Sequence, residues 1–141
     1  MPKVVVHSDQ APKAIGPYSQ AIKAGDTVYC SGQIGLDPVT GVIVAGGVEP
    51  EAHQVIANLR AVLAAAGAKP EHVVRTTIYL VDMNDFAKVN AIYGEMFTSS
   101  PPARATSPSR RCPRARGSRS TRSPSSSERS VATTRKGAVS D

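Results

Sequence analysis

Residues 49–66 read EPEAHQVIANLRAVLAAA, and this stretch decides how the rest of the chain is read. Ala52, Val55, Ile56, Leu59, Val62, Leu63 and Ala66 recur at three- and four-residue spacing. That period gathers them into one apolar stripe of an α-helix. Glu49 and Glu51 fall in the first turn, where the helix dipole favours anions. Gly67 stands where such a helix stops, and Pro70 lies just beyond.

Working outward, residues 73–81 read as a strand, with Thr76, Thr77, Ile78 and Tyr79 supplying β-branched and aromatic side chains. Asp82 or Asn84 can cap a second helix. Phe86, Val89, Tyr93, Met96 and Phe97 repeat along it at helical spacing, and Pro101-Pro102 ends it. On the other side, residues 3–7 are short, apolar and β-branched, a first strand. Residues 14–21 form a loop punctuated by Gly16-Pro17, and Gly25-Asp26 signals a turn. Residues 27–34 read as the next strand, followed by turns at Asp37-Pro38 and Thr40-Gly41. The order is β-loop-β-α-β-α. This is an α+β class, with two helices packed on one face of a sheet.

The chain has 141 residues, room for one domain. No apolar run approaches a membrane span, and no apolar segment follows Lys3 to make a secretory signal. Cys30 and Cys112 cannot form a disulfide framework, so a reducing, cytoplasmic setting is expected. The net charge of +6 suggests nucleic acid until it is divided. Residues 1–106 carry eight Lys and Arg against nine Asp and Glu, a net of −1. Residues 107–141 carry nine against two, a net of +7, with ten serines and no Leu, Ile, Met, Phe or Tyr. Such a segment cannot bury enough surface to offset its ordering entropy. The expected organisation is a body over 1–106 and an Arg/Ser tail over 107–141, disordered, with the sheet's C-terminal strands missing.

Three segments carry a resemblance: Ala14-Ile15-Gly16-Pro17-Tyr18-Ser19-Gln20-Ala21, Ser31-Gly32-Gln33-Ile34 and Pro101-Pro102-Ala103-Arg104-Ala105-Thr106. Together with Asn84-Asp85-Phe86 and Val89-Asn90, their order and spacing resemble the RidA (YjgF/YER/UK) family of imine deaminases over residues 1–106. The resemblance implies a chorismate-mutase-like fold and a homotrimer with ligand clefts between subunits. It also implies neither a metal nor an organic cofactor.

The pattern breaks at Ser107, where the family continues with alternating apolar residues and a final strand bearing a Glu. Re-reading each codon from the third base of the one before, with G/C-rich choices, restores it. Residues 107–113 can then encode Val-Ala-Val-Ala-Ala-Leu-Pro, and residues 118–125 can encode Val-Glu-Ile-Asp-Ala-Ile-Ala-Val. The restored Glu falls at Arg119. A one-base slip near codon 106 accounts for the tail's composition, and clean sequencing of the gene through this region tests it.

The residues also carry chemistry of their own. Arg104 offers a planar fork that can take a carboxylate bidentately; an isolated Arg after a Pro-Pro turn would otherwise read as solvated surface. Tyr18 can close a cleft, or plug a sheet edge. Ser31 and Gly32 end a strand where a ligand could approach backbone, or mark a bulge. Asn90 shares a helix side with Phe86 and Tyr93, where an amide needs a partner. Ala105 follows Arg104 and offers backbone groups.

Arg104 is the expected catalytic residue. Tyr18, Ser31, Gly32, Asn90, Arg104 and Ala105 are the expected substrate contacts. The expected ligand is a small imino or keto acid, hydrolysed at its imine. Arg119 cannot replace the family's Glu as proton acceptor, which leaves a non-catalytic carboxylate- or protein-binding trimer, or an inactive allele, as the alternative. Nucleic-acid binding by the tail is disfavoured, since the tail lacks base-stacking aromatics. Cys30 reads as a small buried hydrophobe. His7, His53 and His72 share no metal-ligand spacing.

Overall fold

A computed structural model describes residues 2–108. Its strands are β1 (Lys3–Val6), β2 (Ala21–Ala24), β3 (Thr27–Cys30), β4 (Arg75–Leu80) and β5 (Ala103–Pro108). Its helices are α1 (Val48–Ala65) and α2 (Phe86–Met96). β1, β2 and β3 form an antiparallel meander, and β4 pairs with β5 in parallel.

The α1 stripe is buried as its spacing requires. Leu59, Val62 and Leu63 meet Val6, Ala21, Val28 and Cys30 of the meander, together with Met96 and Phe97. A second cluster joins Ala52 to Ile78 and Leu80 of β4 and to Val89 and Ile92 of α2. Ile56 and Tyr93 pack against both clusters. Each fully buried Leu or Val contributes about 1.5–3 kcal/mol. Gly67 ends α1 at φ 72°, and the Ala68 N–H reaches back to the Leu63 carbonyl at 2.8 Å. That left-handed geometry suits glycine. Asp82 caps the turn before α2, its Oδ1 accepting from the Asn84 N–H at 2.9 Å. At the Asp37 turn the carboxylate accepts from the Thr40 and Val39 N–H groups, which hold its pKa below the ordinary value.

Three readings change. The segment expected to be loop up to Ala21 gives way to β2, a strand with little β-branched character. The hairpin turn at Gly25-Asp26 and pairing on both sides create it, a tertiary effect that local propensity does not carry. The strand expected over 27–34 leaves the ladder after Cys30. The Ile34 and Leu36 carbonyls bond instead to Asn58 Nδ2, at 3.1 and 2.9 Å. A strand is also added that the pattern did not mark: β5 spans Ala103–Pro108. It needs no apolar pattern, because β4 supplies its hydrogen bonds along the whole register from Arg75↔Ala103 to Leu80↔Pro108. The expected absence of the C-terminal strands, with the tail and Arg119, lies outside the described residues.

The sheet face away from the helices carries exposed apolar side chains. Exposed Val5 and Tyr29 flank half-buried Ile22 in one row across the meander, and exposed Tyr79 projects from β4.

Candidate functional site

Two places gather the expected residues. The first is built by β5 and α2. Arg104 is the register partner of Thr76, whose side chain is 1% exposed and points toward the helices. Paired residues of neighbouring strands share a face, so Arg104 is sent to the same side. There α2 presents Phe86, Asn90 and Tyr93 on one surface, at spacings of four and three. Arg104 Nη1 donates to Asn90 Oδ1 at 2.6 Å. Its guanidinium carbon lies 5.3 Å from the Phe86 ring centre and 4.9 Å from that of Tyr93. The Tyr93 hydroxyl meets Thr76 Oγ1 at 2.6 Å. Burial pushes the Tyr93 pKa up, opposed by the Thr76 hydrogen bond and the Arg104 charge.

No carboxylate among the described residues neutralises Arg104. The ion pairs there are His7–Asp9, His53–Glu95 and Lys88–Asp85. Asn90 engages one of the guanidinium's five N–H donors. A carboxylate needs two, so the exposed group can still grip one bidentately.

The second place is a pocket of about 240 Å³, with Pro12, Lys13, Tyr18, Gln20, Gly32 and Leu36 among its walls. Tyr18 is 53% exposed, and its hydroxyl accepts from the Ile15 N–H at 3.3 Å. Gln20 fixes the rim. Its side-chain carbonyl accepts from the Ser8 N–H at 2.6 Å, and its amide nitrogen meets the Ser8, Ala11 and Pro12 carbonyls. Ser31 is bonded inward, its hydroxyl donating to the Ser19 carbonyl and its N–H to that of Gln20. Gly32 lies exposed at the pocket.

The structure thus joins Asn90 to Arg104, and Tyr18 to Gly32. It does not join the two groups within one chain, since Asn90, Arg104 and Ala105 are not walls of the Tyr18 pocket. Ala105 is exposed on β5 opposite Thr77. Cys30 is buried. His7, His53 and His72 are separate, each with its own local contact.

Sequence reasoning missed the parts played by Phe86, Tyr93, Thr76 and Gln20. The first three read as ordinary packing positions. The signal was the spacing that sets Asn90 between two rings, a place where an amide and two aromatics can surround a cation.

The family profile described as Endoribonuclease L-PSP matches residues 8–116, past the Ser107 break. The chain belongs to this family, the RidA family. Protein DfrA of Myxococcus xanthus is 57% identical over 108 residues, 75% of this chain and 82% of DfrA. The mouse 2-iminobutanoate/2-iminopropanoate deaminase is 54% identical over 101 residues, 72% of this chain and 75% of the relative. The crystal structure of Escherichia coli TdcF with bound serine superposes with a TM-score of 0.81 at 28% identity. The superposition covers 96% of this chain and 99% of that one. The RidA fold is therefore the fold of this chain. Among its described residues no helix is long and apolar enough to cross a membrane.

Proposed function

We propose that this RidA protein hydrolyses reactive 2-imino acids, the tautomers of enamines such as 2-aminoacrylate, to 2-keto acids and ammonia. The observation that carries the reading is the exposed Arg104, held by Asn90 and unpaired with any carboxylate among the described residues. It is a seat for a substrate carboxylate. The name of the mouse relative and the serine in TdcF, a ligand with an α-carboxylate, support it.

Arg104 anchors the carboxylate. Water adds to the imine carbon as one of its protons passes to nitrogen, giving a carbinolamine. The carbinol hydroxyl then loses its proton and the amine gains one, so that C=O forms as the C–N bond breaks and ammonia leaves. Backbone groups at Gly32 and Ala105 orient the water and the imine. A homotrimer completes the site, joining the Tyr18–Gly32 pocket of one subunit to the Arg104 of the next. The apolar row of exposed Val5, half-buried Ile22 and exposed Tyr29 suits such an assembly. A reducing cytoplasm suits the buried thiol of Cys30.

A second reading rests on Arg119. A guanidinium cannot serve as the acid/base that a Glu supplies there, so the chain as written could bind small carboxylates without turning them over. The test compares two proteins, the full chain and one with the frame restored from codon 107. Pyruvate release is followed from 2-aminoacrylate generated in place, together with oligomeric state. Activity in the restored trimer that disappears in Arg104→Ala supports the deaminase. Full activity in Arg104→Ala overturns the carboxylate role. Carboxylate binding without turnover in the full chain, beside turnover in the restored one, favours the second reading.

A further inference from the structure

We propose that Phe86 and Tyr93 are positioning residues for the proposed reaction, forming an aromatic cage that fixes the Arg104 guanidinium for a carboxylate. The inference rests on Arg104 being the carboxylate seat and adds what makes that seat selective.

An exposed arginine ordinarily samples many rotamers, and ordering it costs side-chain entropy. Here that freedom is removed before any ligand arrives. Asn90 Oδ1 takes Nη1 at 2.6 Å. Two ring faces lie within cation–π range, at 5.3 and 4.9 Å. The Tyr93 ring is itself tethered through its hydroxyl to Thr76, the residue paired with Arg104 across the β4–β5 ladder. Backbone register and side-chain contacts thus close one loop: Arg104, Thr76, Tyr93 and back to Arg104. The rings offer no acceptor in the guanidinium plane, so they hold the cation without neutralising it. An Asp or Glu in their place would hold it equally well and occupy the site. The cage therefore selects a planar, anionic, bidentate ligand, a carboxylate, and gives a small return for a neutral one.

The test uses the full chain and 2-oxobutanoate, a stable 2-keto acid, as probe. Affinity is read by titration, and the Arg104 Nε–H resonance is followed by NMR. Phe86 is partly exposed, so Phe86→Leu should fold; Tyr93→Leu and Tyr93→Phe complete the set. Phe86→Leu and Tyr93→Leu should each weaken binding about three- to tenfold with melting unchanged for the first, as expected for loss of a cation–π contact. Each should move the Nε–H signal away from its ring-shifted position. Tyr93→Phe keeps the ring and should retain most of the affinity. If Arg104→Ala abolishes binding while both Leu variants bind as the parent does, the cage is overturned and the carboxylate seat stands. If Arg104→Ala binds the probe fully, the seat fails and the cage with it.

Discussion

Thr76 and Arg104 face each other across the parallel β4–β5 ladder, and the Thr76 hydroxyl holds the ring on which the Arg104 guanidinium rests. One is almost wholly buried and the other exposed. The pair therefore connects the core directly to the candidate site. Changes at Thr76 on β4 should be felt at Arg104.

The Tyr93 hydroxyl is the link in that connection, and its ionisation should report it. Burial raises its pKa above the ordinary 10.0, while Thr76 and Arg104 pull the other way. A raised folded value means the protonated phenol is favoured by folding. Its stabilising contribution is whole below pH 10.0 and is lost as pH climbs through the folded value. Titration followed in the tyrosinate absorption band should show a late-ionising phenol among the four tyrosines. That late step should vanish in Tyr93→Phe. Its persistence in the variant would assign it elsewhere.

Asn90 is neutral, and that neutrality should be essential. Asn90→Asp would place a carboxylate where Oδ1 now sits, 2.6 Å from Nη1. The new ion pair would compete with any substrate carboxylate for the same guanidinium. An ion pair adds mutual attraction to the present arginine–amide bond, so 2-oxobutanoate affinity should drop by about tenfold or more. Asn90→Ala removes the hydrogen bond without adding charge and should cost less. An Asp variant that binds better than the Ala variant would refute the competition.

Asn58 carries the opposite assignment, structure without chemistry. Its side chain is fully buried, and Nδ2 donates to the Ile34 and Leu36 carbonyls while Oδ1 accepts from Gln54. Asn58→Ala strands two carbonyls and should destabilise the fold by about 2–3 kcal/mol. Denaturant unfolding measures it. A loss below about 0.5 kcal/mol would mean that water satisfies the carbonyls in the variant.

How much of this was legible beforehand follows from where the information lies. α1 and α2 were readable because helical burial repeats locally, residue by residue. β2 and β5 were not, because their pairing energy comes from partners distant in sequence. Arg104 and Asn90 were singled out separately, from a motif and from an amide on an apolar helix face. Their 2.6 Å contact is set by strand register, and no spacing in the sequence encodes register. Gln20 was quoted inside a motif, yet its four-way clamp on residues 8–12 depends on a loop geometry that only the folded chain defines.

Two glycines should respond to the same substitution with opposite signs. A Cβ built on Gly35 would lie 3.0 Å from Glu51 Cα, Cβ and Cγ. The Cα belongs to the α1 backbone and cannot swing aside. Gly35→Ala should therefore widen this approach by a few tenths of an ångström and strain the Asn58 bonds to the Ile34 and Leu36 carbonyls. A cost of about 1–3 kcal/mol is expected, the usual range for overpacking. Gly94 lies in α2, where a Cβ would meet nothing within 4 Å. Gly94→Ala should instead stabilise by about 0.5–1 kcal/mol, since it removes glycine's entropic cost within a helix. Thermal melting of both variants beside the parent decides it. A stabilised Gly35→Ala would show that the approach of residues 31–36 to α1 is looser than the 3.0 Å contacts describe.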